Sequence, residues 1–138
     1  MIALLDAGFF YALVDNDDLH SDAVKGALKT HPWRIILPIP AITETAYLVR
    51  KNLGQKALAA FTESLSNANF EFEAPDSSDY VRASNILRKY NDQNIDFVDA
   101  CIVAMAERLN ITTILTVDRR HFSIFKPNHC DSFELLPD

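Results

Sequence analysis

Five carboxylates stand where their type and spacing could do chemistry. Asp6 directly follows the apolar run Ile2-Ala3-Leu4-Leu5, and Asp118 ends the run Leu115-Thr116-Val117. Glu44 follows Pro40 by one helical turn, and Asp96 and Asp99 lie three apart, on one face of any helix they open. Clustered acids raise each other's pKa and oppose folding. A hard divalent cation removes that cost, and Mg²⁺ and Mn²⁺ take oxygen ligands. Such ions, about 3.5–4 Å apart, activate water and stabilise the leaving oxygen of a phosphodiester. That chemistry asks for acids and for no other nucleophile. Each acid also has a plain role. Asp6 and Asp96 suit helix caps, Asp99 suits a first-turn dipole contact but lies too far inside for a simple cap, Glu44 suits a solvated face, and Asp118 suits a turn. The set says more than its members, because all five fall toward one rim of the same scaffold.

That scaffold is an alternation of strands and helices. Ile2–Leu5 and Arg34–Leu37 are short apolar runs that predict buried strands, the second stopped by Pro38. Between them, helices are expected over 8–14 and 21–30, separated by the polar cluster Asp15-Asn16-Asp17-Asp18. Pro40 suits a first helical turn, so a helix should run through Glu44 to about Asn52. Gly54 breaks it and another helix covers 55–66. The alternation Asn69-Phe70-Glu71-Phe72-Glu73 predicts a third strand. Asp76, Ser77 or Ser78 caps a helix reaching Tyr90. After the loop 91–94, Asp96 or Asp99 opens a helix whose apolar face carries Val98, Ile102, Met105 and Leu109. Residues 112–117 predict a fourth strand and 133–136 a weak fifth. This order predicts an α/β three-layer sandwich around a mainly parallel sheet of four to five strands, with right-handed crossovers. Ligands of such sheets lie beyond the carboxyl ends of the strands, where Asp6 and Asp118 fall.

The chain is 138 residues long, which predicts one domain over 1–138 with a real core. Hydrophobic residues are 49% and charged residues 23%, which excludes disordered and low-complexity classes. No apolar run approaches the roughly 20 residues of a membrane helix, and no basic leader precedes Asp6, so neither a membrane span nor a signal peptide is expected. Two cysteines, Cys101 and Cys130, form no framework, and a cytoplasmic location follows as the default. Thirteen basic residues against nineteen acidic ones give −6. A polyanion must therefore be recruited locally, by metal ions or an Arg/Lys patch. Arg119 and Arg120 are candidates, balanced against a surface pair. His121 reads as structural more readily than as an acid or base, and His20, His31, His121 and His129 lack zinc-ligand spacing. Trp33, Tyr47 and Phe61 read as packing residues, and Cys101 as core.

Taken together, the motifs resemble the PIN-domain family and, within it, the VapC-type toxins of type II toxin–antitoxin systems. The resemblance spans essentially the whole chain. It rests on Leu4-Leu5-Asp6-Ala7-Gly8-Phe9-Phe10-Tyr11-Ala12-Leu13, on Pro40-Ala41-Ile42-Thr43-Glu44-Thr45-Ala46-Tyr47-Leu48, on Asp96-Phe97-Val98-Asp99-Ala100, and on Ile114-Leu115-Thr116-Val117-Asp118-Arg119-Arg120-His121-Phe122. It implies a Mg²⁺- or Mn²⁺-dependent endoribonuclease acting on tRNA, rRNA or mRNA. The implied acid site is Asp6, Glu44, Asp99 and Asp118, with Asp96 beside Asp99 as an additional metal ligand. It also implies a homodimer and a small antitoxin partner.

One departure stands out. Many members carry a hydroxyl just after the first Asp, where this chain has Ala7 and Gly8. Such a hydroxyl helps orient a carboxylate or a metal's water. Gly8 instead allows close backbone approach. Two other readings compete. A phosphotransfer domain also places Asp after its first strand, but Gly8 stands where its second acid would be. A catalytically weak module of the same fold would only dimerise or bind a partner, and retention of every expected acid speaks against it.

Overall fold

A computed structural model describes residues 1–138. Five strands, β1 (Ile2–Leu5), β2 (Arg34–Pro38), β3 (Glu71–Glu73), β4 (Thr113–Leu115) and β5 (Glu134–Leu136), form one sheet in the order β3-β2-β1-β4-β5. Every pairing is parallel. Parallel neighbours need crossovers, and seven helices supply them: α1 (Ala7–Val14), α2 (Ser21–Leu28), α3 (Ile39–Leu53), α4 (Gln55–Ser64), α5 (Ser77–Lys89), α6 (Phe97–Leu109) and α7 (Arg119–Ser123). A 3₁₀ turn over Leu65–Asn67 ends α4.

The strands are apolar on both faces because both faces are covered. Side chains alternate along β1 and β2. Ala3, Leu5, Ile35 and Leu37 pack with Phe9, Val49 and Phe61 of α1, α3 and α4. Leu4 and Ile36 point the other way, toward Ile86 of α5, Ile102 of α6 and Phe122 of α7. The result is the expected three-layer sandwich. β3 is a short edge strand whose Phe72 stays exposed. No helix is long and apolar enough to cross a membrane.

Two elements depart from expectation. α6 is buried on all sides from Asp99 to Ala106, rather than along one stripe, because α5 covers the side that a surface helix would show to water. α7 is unforeseen; five residues are too few to carry a period.

The strand order fixes where a ligand can sit. The chain moves outward from β1 through β2 to β3, then returns to the other side of β1 for β4 and β5. The reversal opens a crevice beyond the carboxyl ends of β1 and β4. Asp6 leaves β1 there, and Thr116 to Asp118 leave β4 there.

Candidate metal centre

Four of the five acids are placed by a helix start. Asp6 is the N-cap of α1, its Oδ1 accepting from the Ala7 N–H at 2.8 Å. Asp118 is the N-cap of α7, its Oδ1 accepting from the His121 N–H at 3.2 Å. Asp96 and Asp99 form a capping box at the start of α6: Asp96 Oδ1 accepts from the Asp99 N–H at 2.9 Å, and Asp99 Oδ2 from the Asp96 N–H at 3.4 Å. Asp99, too deep for a simple cap, is thus the third-position partner of one. Glu44 lies in the second turn of α3, half-buried and without a hydrogen-bond partner. Capping and chemistry do not exclude each other, since a carboxylate has two oxygens and about four lone-pair sites.

All five acids line one cavity of about 210 Å³, with Gly8, Leu48, Val117 and His121. Asp6 is buried, its Oδ2 accepting from the Thr116 hydroxyl at 2.8 Å. The same Thr116 oxygen accepts from the Asp118 N–H at 2.9 Å. The hydroxyl missing at Ala7 and Gly8 therefore arrives from the end of β4. Gly8 has its own reason: a Cβ there would lie 2.9 Å from Val117 Cγ2, so any side chain would push the start of α1 and the strand exit apart. His121 holds the other side, its Nδ1 lying 2.7 Å from Asp118 Oδ2 and 3.3 Å from Asp99 Oδ2. Beyond the structural role expected of it, His121 is a lining residue of the site.

The electrostatics are unbalanced. Burial, opposed by the Thr116 and Ala7 hydrogen bonds, lifts Asp6 from 3.8 to about 6. Burial and the charges of Asp96, Asp6 and Asp118 lift Glu44 from 4.5 to about 7. Asp99 is pushed up by burial and then by Asp96 and Asp6. A second capping box makes an internal control. Asp76 and Asp79 form the same motif at the start of α5, but Arg108 reaches both, at 3.2 Å and 2.9 Å. There Asp76 is held below its ordinary value, by the Ser78 hydroxyl and the Asp79 N–H, with Arg108 adding to them. No Arg or Lys pairs with the acids of the cavity.

The donor set fits a hard divalent cation: every carboxylate is an oxygen donor, and the excess negative charge has no Arg or Lys counter-ion. No three of these side chains already close on a common point.

The two arginines expected to meet substrate behave differently. Arg119 Nη1 donates to the carbonyls of Leu135 and Pro137, at 2.8 and 2.9 Å, and ties down the C-terminal strand. Arg120 lines a neighbouring recess of about 280 Å³ with His121 and residues 92–94.

Comparison with known proteins bears on the family and the fold. Ribonuclease VapC26 of Mycobacterium tuberculosis is 29% identical over 134 residues, covering 97% of this chain and 99% of that protein. The fold matches Mycobacterium tuberculosis VapC20, a Sarcin-Ricin loop cleaving toxin, with a TM-score of 0.75 at 20% identity over 83% of this chain and 87% of that one. It also matches DNA-bound VapBC from Salmonella typhimurium, with a TM-score of 0.67 at 16% identity over 98% and 97% of the two chains. The PIN domain profile matches residues 3–126, and the chain belongs to the PIN domain family.

Proposed function

We propose that the protein is a divalent-metal-dependent endoribonuclease, the toxin of a VapBC-type toxin–antitoxin pair. The observation that carries the reading is the contrast between the two capping boxes: one is neutralised by Arg108, and the other, at the strand switch point, is left among three further acids. The similarity to a ribonuclease over nearly the whole length of both chains supports RNA as the substrate.

Asp6, Asp99 and Asp118 would hold Mg²⁺ or Mn²⁺, with Asp96 beside them. When bound, such ions supply Lewis acidity and charge balance for phosphodiester hydrolysis. Thr116 and the Ala7 N–H fix the Asp6 carboxylate, and His121 fixes Asp118. Glu44 has no partner and faces the same cavity, so it orients the attacking water and takes up its proton. In-line attack on phosphorus leaves a 3′-hydroxyl and a 5′-phosphate. Arg120 is placed to meet a substrate phosphate from the adjoining recess.

A homodimer is supported by an exposed apolar face, Ile39, Tyr80 and Phe97, at the starts of α3, α5 and α6. Likeness in fold to toxin–antitoxin complexes supports a small antitoxin partner, and an RNA substrate supports a cytoplasmic location.

The test is incubation of total RNA with purified protein and Mn²⁺ or Mg²⁺, with and without chelator, beside Asp99→Asn. Discrete fragments should need metal and fall at least a hundredfold in the variant. Sizing the same preparation should show a dimer that Tyr80→Asp splits. A folded protein with no cleavage in either metal would instead be the inert binding module.

A further inference from the structure

Further along α3 from the acid cavity lies a second, cationic recess. Glu44, Tyr47, Leu48 and Lys51 follow at helical spacing and share one face. Glu44 and Leu48 line the acid cavity. Tyr47 and Lys51, with Arg50 and Gln55, line a recess of about 420 Å³. Tyr47 is 63% exposed, and Lys51 Nζ lies 5.9 Å from its ring centroid. Arg50 Nε donates to Gln55 Oε1 at 3.1 Å, which holds the guanidinium at the recess. Neither Arg50, Lys51 nor the exposed Lys56 forms an ion pair, whereas Arg34, Arg82 and Arg108 all do.

Helix electrostatics explains only part of this. Arg50 and Lys51 stand in the last turn of α3, where cations suit the dipole. Lys56 stands in the first turn of α4, where a cation opposes it. A large exposed aromatic ring in a recess shared with two cations that lack ion pairs, with a third, Lys56, next in sequence to its lining residue Gln55, in a chain of net charge −6, is chemistry for an anionic ligand with a π-face. Single-stranded nucleic acid has both, phosphates for the cations and bases for the ring. From Glu44 to Lys51 the helix rises about 10 Å, roughly three nucleotides at a strand rise of about 3.4 Å.

We propose that Tyr47, Arg50, Lys51 and Lys56 form the track by which a single RNA strand enters the acid site, with Tyr47 stacking a base and the cations contacting phosphates. The inference rests on the ribonuclease reading for its substrate and adds the route, the polarity-independent contacts and the preference for unpaired RNA.

The experiment measures binding of a short fluorescent single-stranded RNA to the full chain in chelator, across a salt series, followed by cleavage in Mn²⁺. The triple variant Arg50→Ala/Lys51→Ala/Lys56→Ala should bind at least tenfold more weakly, with a plot of log K against log salt shallower by about 2, at about 0.7 per lost phosphate contact. Tyr47→Ala should weaken binding about tenfold with the slope unchanged, as loss of stacking without loss of charge requires. A duplex RNA of the same sequence should bind less tightly than the single strand. Wild-type slope and affinity in the folded triple variant overturn the track, and if the wild type still cuts RNA, the ribonuclease reading survives. Loss of RNA binding in the variants, from a wild type that cuts nothing in any metal, supports the track and removes the nuclease. A patch that binds polyglutamate and not RNA overturns the track in favour of an acidic protein partner.

Discussion

Thr116 carries more of the site than its residue type suggests. Its hydroxyl donates to Asp6 and accepts from the Asp118 backbone, so one buried oxygen sets two acids at once. Replacing it with Val keeps the shape and leaves Asp6 Oδ2 and the Asp118 N–H without partners. An unsatisfied buried group costs about 1–3 kcal/mol, and lost support of a metal-binding carboxylate costs about 10–100-fold in affinity or activity. Thr116→Val should therefore unfold at lower urea by that amount and cut RNA 10–100-fold more slowly at fixed Mn²⁺. Thr116→Ser should recover most of both. Equal rates for Val and wild type would show that Asp6 needs no such support. The five acids themselves were legible from position alone, each at a strand exit or helix start. Thr116 was not, because a β-branched residue at the end of an apolar run reads as strand, and only the fold brings it to Asp6.

At the scale of elements, α1 and the exit of β4 meet over Gly8. An Ala there would place Cβ 2.9 Å from Val117 Cγ2, and Val117, β-branched and bracketed by Thr116 and Asp118, has little room to turn. Gly→Ala in a helix gains up to about 1 kcal/mol, so the strain and the propensity roughly offset each other in stability. They do not offset in geometry, since the shift falls on the segment carrying Asp118. Gly8→Ala should keep its melting temperature within about 5 °C of wild type yet lose about tenfold or more in single-turnover cleavage. Adding Val117→Ala should return most of the rate. A double variant no faster than the single would mean that the contact is not what matters. Helices and strands long enough to show a period, such as α3 and α5, were legible within two or three residues, helped by Pro40, Gly54 and Asp76. α7 was not, being a single turn held by the Asp118 cap. Nor was the difference between the two Asp-x-x-Asp starts, at Asp76 and Asp96. They are alike as sequence, and only the packing of α5 on α6 gives one of them Arg108.

For the whole molecule, the acid cavity makes the folded state proton-hungry. Asp6 has a folded pKa of about 6 against 3.8, so between those values the native state binds more protons than the unfolded chain. Stability from this group is fully present below about pH 4 and is lost as pH rises through 6. The gap corresponds to on the order of 3 kcal/mol, and Glu44 and Asp99 move in the same direction. Burial raises Glu107, but Arg82 and the Asn128 N–H outweigh it and leave that acid lowered. Its contribution has the opposite sign and acts below the usual carboxylate range, outside this window. In chelator, the melting temperature should therefore fall by roughly 10 °C between pH 5 and pH 7.5. Asp6→Asn, which removes the charge and keeps the shape, should flatten that fall and melt above wild type at pH 7.5. If the proposed metal reading holds, Mn²⁺ would bind only the deprotonated acids of the native state, so at a hundred times its Kd it should restore about 2.7 kcal/mol at pH 7.5 and little at pH 5. A melting temperature flat or rising over this range in chelator would deny the acids their raised pKa values, and a metal effect that persists in Asp6→Asn at full size would place the ion elsewhere. On this reading the same imbalance that weakens the metal-free protein at neutral pH would give a cation its affinity, so stability and metal binding would be two readings of one cluster of charge.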